Sequence, residues 1–471
     1  MKALMDRIFG ENRPPVEMIR FESLNEVPPY ERLEKKEAEI VKGMRNIWYE
    51  YVPSCYDGSR EVPLVVQIHG GGQDGLRWAS YTVWHEIAER NNMIVIYPNS
   101  IKAGRWDCNE EEIKYLYDLI SHMCTVYKID KTRIYMQGMS NGDMMTLAFT
   151  MRHPQVLAAA GYTSGPSSEE GIDGDRPVGA LPIIQERGEL DINYMLSKDV
   201  EDVYEKRYHM NDINRELWEN VNGTAKVLPS VTIRGKDNFL IWNGTKAPII
   251  NWEIKDMGHR EPVYAAQIYW DCLYSGCRMV KGEHLFENPV QELKGDDDLY
   301  LIALGSNKAY HKNKIMKISP FDQGIVRMMV PSPERHFAPL KLNEMAQTEA
   351  MYAPVEILNS LFGAEVKSDR AGTLVMVTLP DQRIVTLRKD SLLIDIDGKY
   401  TAMQKPCILY FGCFYIPVEE FMRMVLKKQV SIAHDVMCIS DHYALVGKYT
   451  ARIICKLLGG VMRPHEQVEW E

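Results

Sequence analysis

Three side chains far apart in the chain have the types that nucleophilic hydrolysis requires: Ser140, Asp191 and His259. A serine hydroxyl attacks an acyl carbon when a histidine takes its proton, and a carboxylate orients that histidine and stabilises its charged form. In one widespread α/β architecture these residues follow one another as serine, acid and histidine. The order in this chain is the same, so the sequence predicts acyl transfer to a serine.

The serine lies in a pentapeptide that predicts a sharp turn. Gly138-Met139-Ser140-Asn141-Gly142 follows the apolar run 133–137 and precedes a helical pattern over 143–149. In a nucleophile elbow the serine occupies a strained strand-to-helix turn, and the flanking glycines avoid clashes with the neighbouring strand and helix. Gly-x-Ser-x-Gly is common by chance, but its strand-before, helix-after context favours an elbow here.

A glycine-rich segment upstream predicts an oxyanion hole. Residues 63–68 have the pattern of a buried strand, which ends at His69-Gly70-Gly71-Gly72. Backbone N–H groups of Gly70 and Gly71, together with that of Asn141 after the nucleophile, are the predicted donors. A plain glycine turn or a phosphate-binding loop is the alternative, but the glycine and lysine spacing of nucleotide-binding loops is absent. His69 precedes the serine and is predicted to hold the loop rather than act as the base.

The acid and the base are each predicted just beyond a strand. Residues 181–187 predict a strand that opens into a short loop with two acids, of which Asp191 is the predicted triad member and Glu189 the alternative. Residues 249–254 predict a later strand that leads to His259, the predicted base. Asp256 is too close to His259 along the chain to reach its outer ring nitrogen comfortably.

Two aromatic residues are candidates for lining a substrate pocket, Trp106 and Tyr162. Most aromatic side chains belong to the core. Trp106 is the stronger candidate because it lies in a loop-like stretch. No His-x-His pair or His/Cys cluster has the spacing of a metal site, so neither a metal nor another cofactor is predicted.

Residues 45–280 resemble the polyhydroxybutyrate depolymerase-like esterases and the family 1 carbohydrate esterases, such as feruloyl and acetylxylan esterases. The resemblance rests on residues 63–72, 94–98, 127–135, 138–142, 153–154, 188–191 and 258–259. It implies an α/β-hydrolase fold with a mostly parallel central sheet. It also implies Ser140 as nucleophile, Asp191 as acid and His259 as base.

Two departures from the family pattern bear on substrate choice. Asp143 replaces the usual second glycine after the elbow, and Arg260-Glu261-Pro262 stands where the family often has Trp-Pro-Gly. We expect both positions near the mouth of the active site. The resemblance implies hydrolysis of short acyl or aromatic, feruloyl-type esters of carbohydrates or phenolics. The alternatives are a polyester depolymerase, a serine peptidase of the same fold and a non-catalytic binding protein.

The length of the chain indicates its number of domains, and its charge limits the kinds of partner it can bind. A chain of 471 residues predicts two or three domains. The formal charge of -10, without a basic run, argues against a nucleic-acid partner. No apolar stretch approaches the length of a membrane span. The predicted partner is a small-molecule or carbohydrate ester.

The predicted organisation is an N-terminal extension over 1–44, a hydrolase domain over 45–285 and a C-terminal α+β domain over 297–455. A polar, acidic turn cluster at 294–298 predicts the break between the last two. The C-terminal segment resembles the copper amine oxidase N-terminal-like, or stalk, domain in its Tyr-x-Pro-Val helix starts at 352–355 and 415–418. This resemblance implies a structural or interaction module that contacts a protein or surface, without copper.

Cysteine usage and the first residues indicate the compartment. The nine cysteines are an odd number without framework spacing, which favours free thiols. The first eleven residues lack a signal-peptide apolar region. We therefore expect a cytoplasmic location, with secretion the alternative if a leader has been removed. Residues 195–230 predict either a lid over the pocket or a solvated helix.

Overall fold

The computed structural model describes residues 32–165, 176–191, 203–331 and 347–461. The central sheet has ten strands: β1 (Leu33–Ala38), β2 (Asn46–Tyr51), β3 (Val62–Ile68), β4 (Ile94–Pro98), β5 (Ile129–Met139), β6 (Ala159–Thr163), β7 (Ile183–Gly188), β8 (Ser230–Arg234), β9 (Asp237–Asn243) and β10 (Pro248–Ile254). Their order across the sheet is β1-β2-β4-β3-β5-β6-β7-β10-β9-β8. Pairs from β4 to β10 are parallel, and both flanks are antiparallel. This is the predicted α/β-hydrolase arrangement.

Helices cover both faces of the central sheet. They are α1 (Gly75–Tyr81), α2 (Trp84–Asn91), α3 (Glu110–Val126), α4 (Asn141–Arg152), α5 (Val203–Asn222) and α6 (Ala265–Cys272). Every residue of β3 and β4 is buried, because a parallel strand with helices on both sides has no solvent face. Successive side chains alternate between the two faces: Leu64 enters one hydrophobic cluster and Val65 the other.

Four of the parallel strands carry the predicted site. β3, β5, β7 and β10 run in the same direction, so their carboxyl ends lie at one edge of the sheet. The glycine loop (residues 69–72) follows β3 and the elbow follows β5. The acid loop (residues 188–191) begins at the end of β7, and the base loop (residues 255–259) follows β10. The topology therefore gathers segments that are far apart in sequence.

The rest of the chain is rich in short strands. It contains β11 (Cys277–Val280), β12 (Glu283–Phe286), β13 (Tyr300–Ala303), β14 (Lys308–His311), β15 (Lys314–Lys317), β16 (Val326–Pro331), β17 (Gln347–Pro354), β18 (Glu365–Ser368), β19 (Leu374–Thr378), β20 (Ile384–Arg388), β21 (Leu393–Ile396), β22 (Lys399–Ala402), β23 (Ile408–Tyr410), β24 (Cys413–Pro417), β25 (Gln429–Ala433) and β26 (Val436–Ser440). Its helices are α7 (Ile357–Phe362), α8 (Val418–Met424) and α9 (Lys448–Leu458). These strands form a hairpin, two five-stranded sheets and one four-stranded sheet. The predicted α+β character is observed, while the stalk-domain resemblance stays a prediction.

The C-terminal segment shares a core with the central sheet. Side chains of α9, including Tyr449 and Ile454, lie in the same hydrophobic cluster as β3 and β5. The acidic cluster predicted as a break is bonded to β8, since Ile233 N–H donates to Asp296 Oδ2 at 2.8 Å. The polar residues there satisfy a strand backbone rather than form a free linker. The two predicted domains are thus packed together.

The structure also bears on the predicted N-terminal extension and on the predicted lid segment. β1 lies within the predicted N-terminal extension and pairs with β2, so the sheet begins before residue 45. Of the predicted lid segment, residues 195–202 lie outside the described part, and most of the remainder forms α5. None of the described helices is long and apolar enough to cross a bilayer.

Candidate active site

Ser140 occupies the strained turn predicted for it. The residue has φ 57° and ψ -117°, between the end of β5 and the start of α4. A positive φ is uncommon for a residue with a side chain and persists only where the surroundings enforce it. A Cβ added at Gly138 would overlap the Gly142 carbonyl, and one at Gly142 would overlap the Ile68 carbonyl. Both glycines are therefore required, for the reason the sequence indicated.

The elbow is tied to its neighbours by hydrogen bonds. Ser140 N–H donates to the Thr163 carbonyl of β6 at 2.8 Å. The side chain of Asn141 makes two bonds to the backbone of Trp106: it accepts from the N–H at 2.7 Å and donates to the carbonyl at 2.9 Å. These bonds fix the residue whose own N–H is a predicted oxyanion donor. Sequence reasoning missed this role because the two residues are remote in the chain.

The glycine loop lies against the elbow. A Cβ at Gly70 would be 3.6 Å from Ser140 Cβ, and one at Gly71 would be 3.7 Å from Asn141 Cβ. The three predicted oxyanion donors are thus in one place. Gly70 N–H donates to Gln73 Oε1 at a long 3.3 Å, so an oxyanion there would compete with a weak internal bond.

His69 is a structural histidine. Its Nε2 accepts from the Ser100 N–H at 3.2 Å, so the proton is on Nδ1, which donates to the Gly70 carbonyl at 2.8 Å. Burial lowers the pKa of His69, which favours this neutral form. Trp106 Nε1–H donates to the His69 carbonyl at 3.0 Å. Together these contacts hold the loop in shape, as the sequence indicated.

The predicted acid and base are in contact. His259 Nδ1 lies 3.1 Å from both carboxylate oxygens of Asp191. The acid and base loops pack tightly, because a Cβ at Gly188 would overlap the Met257 carbonyl, and Leu190 N–H donates to that carbonyl at 2.7 Å. Burial raises the pKa of Asp191, but the hydrogen bond and charge of His259 outweigh it, so the net pKa is lowered. Asp191 is therefore held as a carboxylate.

Glu189, the alternative acid, is occupied elsewhere. Its Oε2 accepts from the Asp256 N–H at 3.1 Å, and its Oε1 accepts from the Lys448 N–H at 3.0 Å. Asp256 forms an ion pair with Lys236 at 3.0 Å. The structure therefore places Asp191, rather than Glu189 or Asp256, against the imidazole.

At the two positions expected at the active-site mouth, the carboxyl groups of Asp143 and Glu261 bond to interior groups, while Arg260 is exposed. Asp143 is 1 % exposed and accepts from the Gly165 N–H at 2.7 Å. Burial raises its pKa to about 6, although Arg187 and the Gly165 N–H act in the opposite direction. Glu261 accepts from Gln137 Nε2–H at 2.6 Å, and its removal from water raises its pKa to about 7. That these two positions border the opening of the active site stays a prediction.

The two predicted substrate-lining aromatic residues also lie in the interior. Trp106 is 1 % exposed, and Tyr162 is completely buried with its hydroxyl 2.8 Å from Thr150 Oγ1. Tyr162 is on β6, where every residue is buried, so packing explains it. Trp106 supports the glycine loop rather than lining an open pocket. The prediction is wrong for both, because core packing is the usual fate of a large aromatic residue.

An open cavity of about 620 Å³ lies beside the glycine loop. Residues that line it include Gly72 and Gln73 of the loop region and the cationic side chains Arg45 and Arg77. In the described ranges, no three His, Cys, Asp or Glu side chains form a group that could hold a metal ion. The nine cysteines are free thiols.

Comparison with known proteins bears out the family resemblance of the hydrolase segment. Residues 48–174 match the family model "Esterase PHB depolymerase". The chain is 28% identical over 151 residues to the bifunctional acetylxylan esterase/xylanase XynS20E of Neocallimastix patriciarum, a match that covers 31% of this chain and 22% of that protein. It is 28% identical over 127 residues to feruloyl esterase B of Thermothelomyces thermophilus, covering 25% and 43%. The chain thus spans less than half the length of these relatives.

Among solved structures, the acetyl xylan esterase from Aspergillus awamori is similar, with a TM-score of 0.40 and 18% sequence identity over 50% of this chain and 97% of that one. The family match includes the glycine loop and the elbow. Asp191 and His259 lie beyond it, so their pairing is known from the geometry alone.

Proposed function

We propose that this chain is a serine esterase that hydrolyses carboxylic esters through Ser140, His259 and Asp191. The observation that carries the proposal is the strained elbow at Ser140, with the glycine loop beside it and the Asp191–His259 pair at the same sheet edge. The relatives named as esterases over the matched segment support it.

In the proposed mechanism the acid, the base, the nucleophile and the backbone donors each have a separate role. Asp191 holds Nδ1 of His259, which leaves Nε2 to take the Ser140 proton as Oγ attacks the ester carbonyl. N–H groups of Asn141 and the glycine loop receive the oxyanion, where one such donor is worth about 10²–10³ in rate. The alcohol leaves with the proton, and water then hydrolyses the acyl-enzyme.

We propose carbohydrate or phenolic esters, with short acyl or feruloyl-type groups, as the substrate class. The names of the acetylxylan and feruloyl esterase relatives support this choice. The family model's own description makes a polyester the second candidate.

The test is Ser140→Ala, assayed with p-nitrophenyl acetate and a fluorophosphonate probe. We expect both turnover and labelling to be abolished. Ser80→Ala is the matched control, because Ser80 is exposed and bonds only locally to the Arg77 carbonyl. Near-normal turnover by Ser140→Ala would refute the nucleophile assignment. A substrate panel of acetyl, feruloyl, polyester and peptide compounds then decides the class, and wild-type protein that neither labels nor turns over would favour a binding role.

A further inference from the structure

The first backbone N–H groups of α9 donate hydrogen bonds to side chains of the hydrolase region. The first backbone N–H groups of a helix have no partner within the helix. Here each of four successive groups donates to an oxygen from β9, β10 or the acid loop: Gly447 to Asn238 Oδ1 at 2.9 Å, Lys448 to Glu189 Oε1 at 3.0 Å, Tyr449 to Glu253 Oε1 at 2.8 Å and Thr450 to Glu253 Oε2 at 2.9 Å. The helix end is thus completed by the central sheet.

One of these side chains also joins the acid and base loops. Glu189 belongs to the acid loop, two residues before Asp191, and is 3 % exposed. Its Oε2 accepts from the Asp256 N–H of the base loop at 3.1 Å, and its Oε1 lies 3.4 Å from Lys255 Nζ. A single buried carboxylate therefore connects the acid loop, the base loop and α9.

Such a carboxylate depends on all of its donors. A buried charge is stable only where hydrogen bonds and opposite charge replace its hydration. Loss of the Lys448 N–H would leave Oε1 with one long contact, so the carboxylate would have to move to regain a partner. Any movement of Glu189 changes the relation between the two loops, because it is bonded to both.

We propose that Glu189 is a positioning residue for the Asp191–His259 pair, and that α9 holds it in place through the Lys448 N–H. This inference rests on the proposed function, in which that pair is the catalytic acid and base. The C-terminal segment then has a role in catalysis although it supplies no reacting group.

Lys448→Pro removes the one N–H that reaches Glu189 from the helix. Proline is tolerated at the first position of a helix, and Gly447 has φ -84° and ψ 163°, the extended conformation that a residue before proline requires. Lys448→Ala is the matched control, because it removes the side chain but keeps the N–H. We expect kcat to fall about 10- to 100-fold in Lys448→Pro, the cost of a small displacement of catalytic groups, with KM unchanged. Lys448→Ala should resemble the wild type.

Two readouts separate positioning from general destabilisation. Glu189→Gln should also lower kcat, because its amide has one acceptor oxygen for the two N–H groups of Lys448 and Asp256. Combining it with Lys448→Pro should cost less than the sum of the two effects, because both changes act through the same side chain. Hydrogen exchange at the Asp256 amide should speed up in Lys448→Pro. Glu253→Gln, which alters the cap of the same helix without a bond to either loop, should lower stability and leave kcat near that of the wild type.

Each contrary result has a definite meaning. A folded Lys448→Pro with full kcat overturns the inference, as do additive effects in the double variant or equal losses of kcat in Glu189→Gln and Glu253→Gln. If Lys448→Pro does not fold, the comparison of Glu189→Gln with Glu253→Gln decides. If the wild type hydrolyses no ester, the proposed function fails, while the exchange rate at Asp256 still shows whether α9 controls the base loop.

Discussion

Replacement of the buried carboxyl beside the elbow should change how stability depends on pH. Asp143 lies in the first turn of α4, is 1 % exposed and accepts one hydrogen bond through Oδ2, from the Gly165 N–H. Its Oδ1 has no hydrogen-bond partner among the described residues. Asp143→Asn keeps the shape and the Gly165 bond but cannot ionise.

The magnitude follows from the pKa. Burial raises the pKa of Asp143 from 3.8 to about 6, a difference that corresponds to about 3 kcal/mol. The folded protein holds this proton more tightly than the unfolded chain does. The contribution of Asp143 is therefore most favourable below pH 3.8, falls as the pH rises through the interval to about 6 and is constant above it.

The assay is urea unfolding of the wild type and Asp143→Asn from about pH 4 to about pH 8. We expect the variant to gain about 2.5 kcal/mol relative to the wild type across that range, because the remaining part of the difference is already lost at pH 4 and groups that do not interact with Asp143 cancel. The buried amide Nδ2 adds a cost that does not vary with pH, so only the slope is diagnostic. Asp381→Asn is a control without a slope over this range, since hydrogen bonds from Arg383 lower the pKa of that exposed carboxyl and its titration falls below the range of the assay. A difference between wild type and Asp143→Asn that stays constant with pH would refute the reasoning.

Two further substitutions test the site's construction. Gly142→Ala should abolish cooperative unfolding, because its Cβ would overlap the Ile68 carbonyl. Gly71→Ala should fold, because the nearest neighbour of its Cβ is Asn141 Cβ at 3.7 Å. Circular dichroism during urea titration measures both variants, and a stable Gly142→Ala would contradict the elbow packing. Tyr162→Phe should lose about 1 kcal/mol through its bond to Thr150 and leave KM unchanged. A raised KM in that variant would show that Tyr162 contributes to substrate binding.

Local patterns in the sequence were sufficient for much of the site. The glycine spacing around Ser140 predicted the elbow, because a Cβ at either glycine meets backbone whatever the rest of the chain does. The strand patterns before Asp191 and His259 predicted where an acid and a base would emerge, and their pairing at 3.1 Å is observed. These features depend on short-range steric contacts and on the parallel sheet. Both produce local patterns in the sequence, namely the glycine spacing and the apolar strand runs.

Partner choice among polar side chains was not predictable in the same way. Glu189 and Asp191 stand in one short loop, and only their neighbours distinguish them: one carboxylate meets His259 and the other meets Lys448 N–H of α9. Asp143 was expected near the active-site mouth and Trp106 in the lining of the substrate pocket, but both side chains are buried and bond to backbone groups. A local sequence pattern does not predict such contacts, because the partners come from distant parts of the chain.

The sequence by itself determined which residues could react and on which side of a sheet they would emerge, since helix, strand and turn preferences act over a few residues. Only the tertiary structure decided which acid faces the histidine, which aromatic residues are buried and that the C-terminal helix completes the acid and base loops. The physical reason is that a buried polar group must find its hydrogen-bond partners wherever the fold brings them, and chain distance does not limit that search.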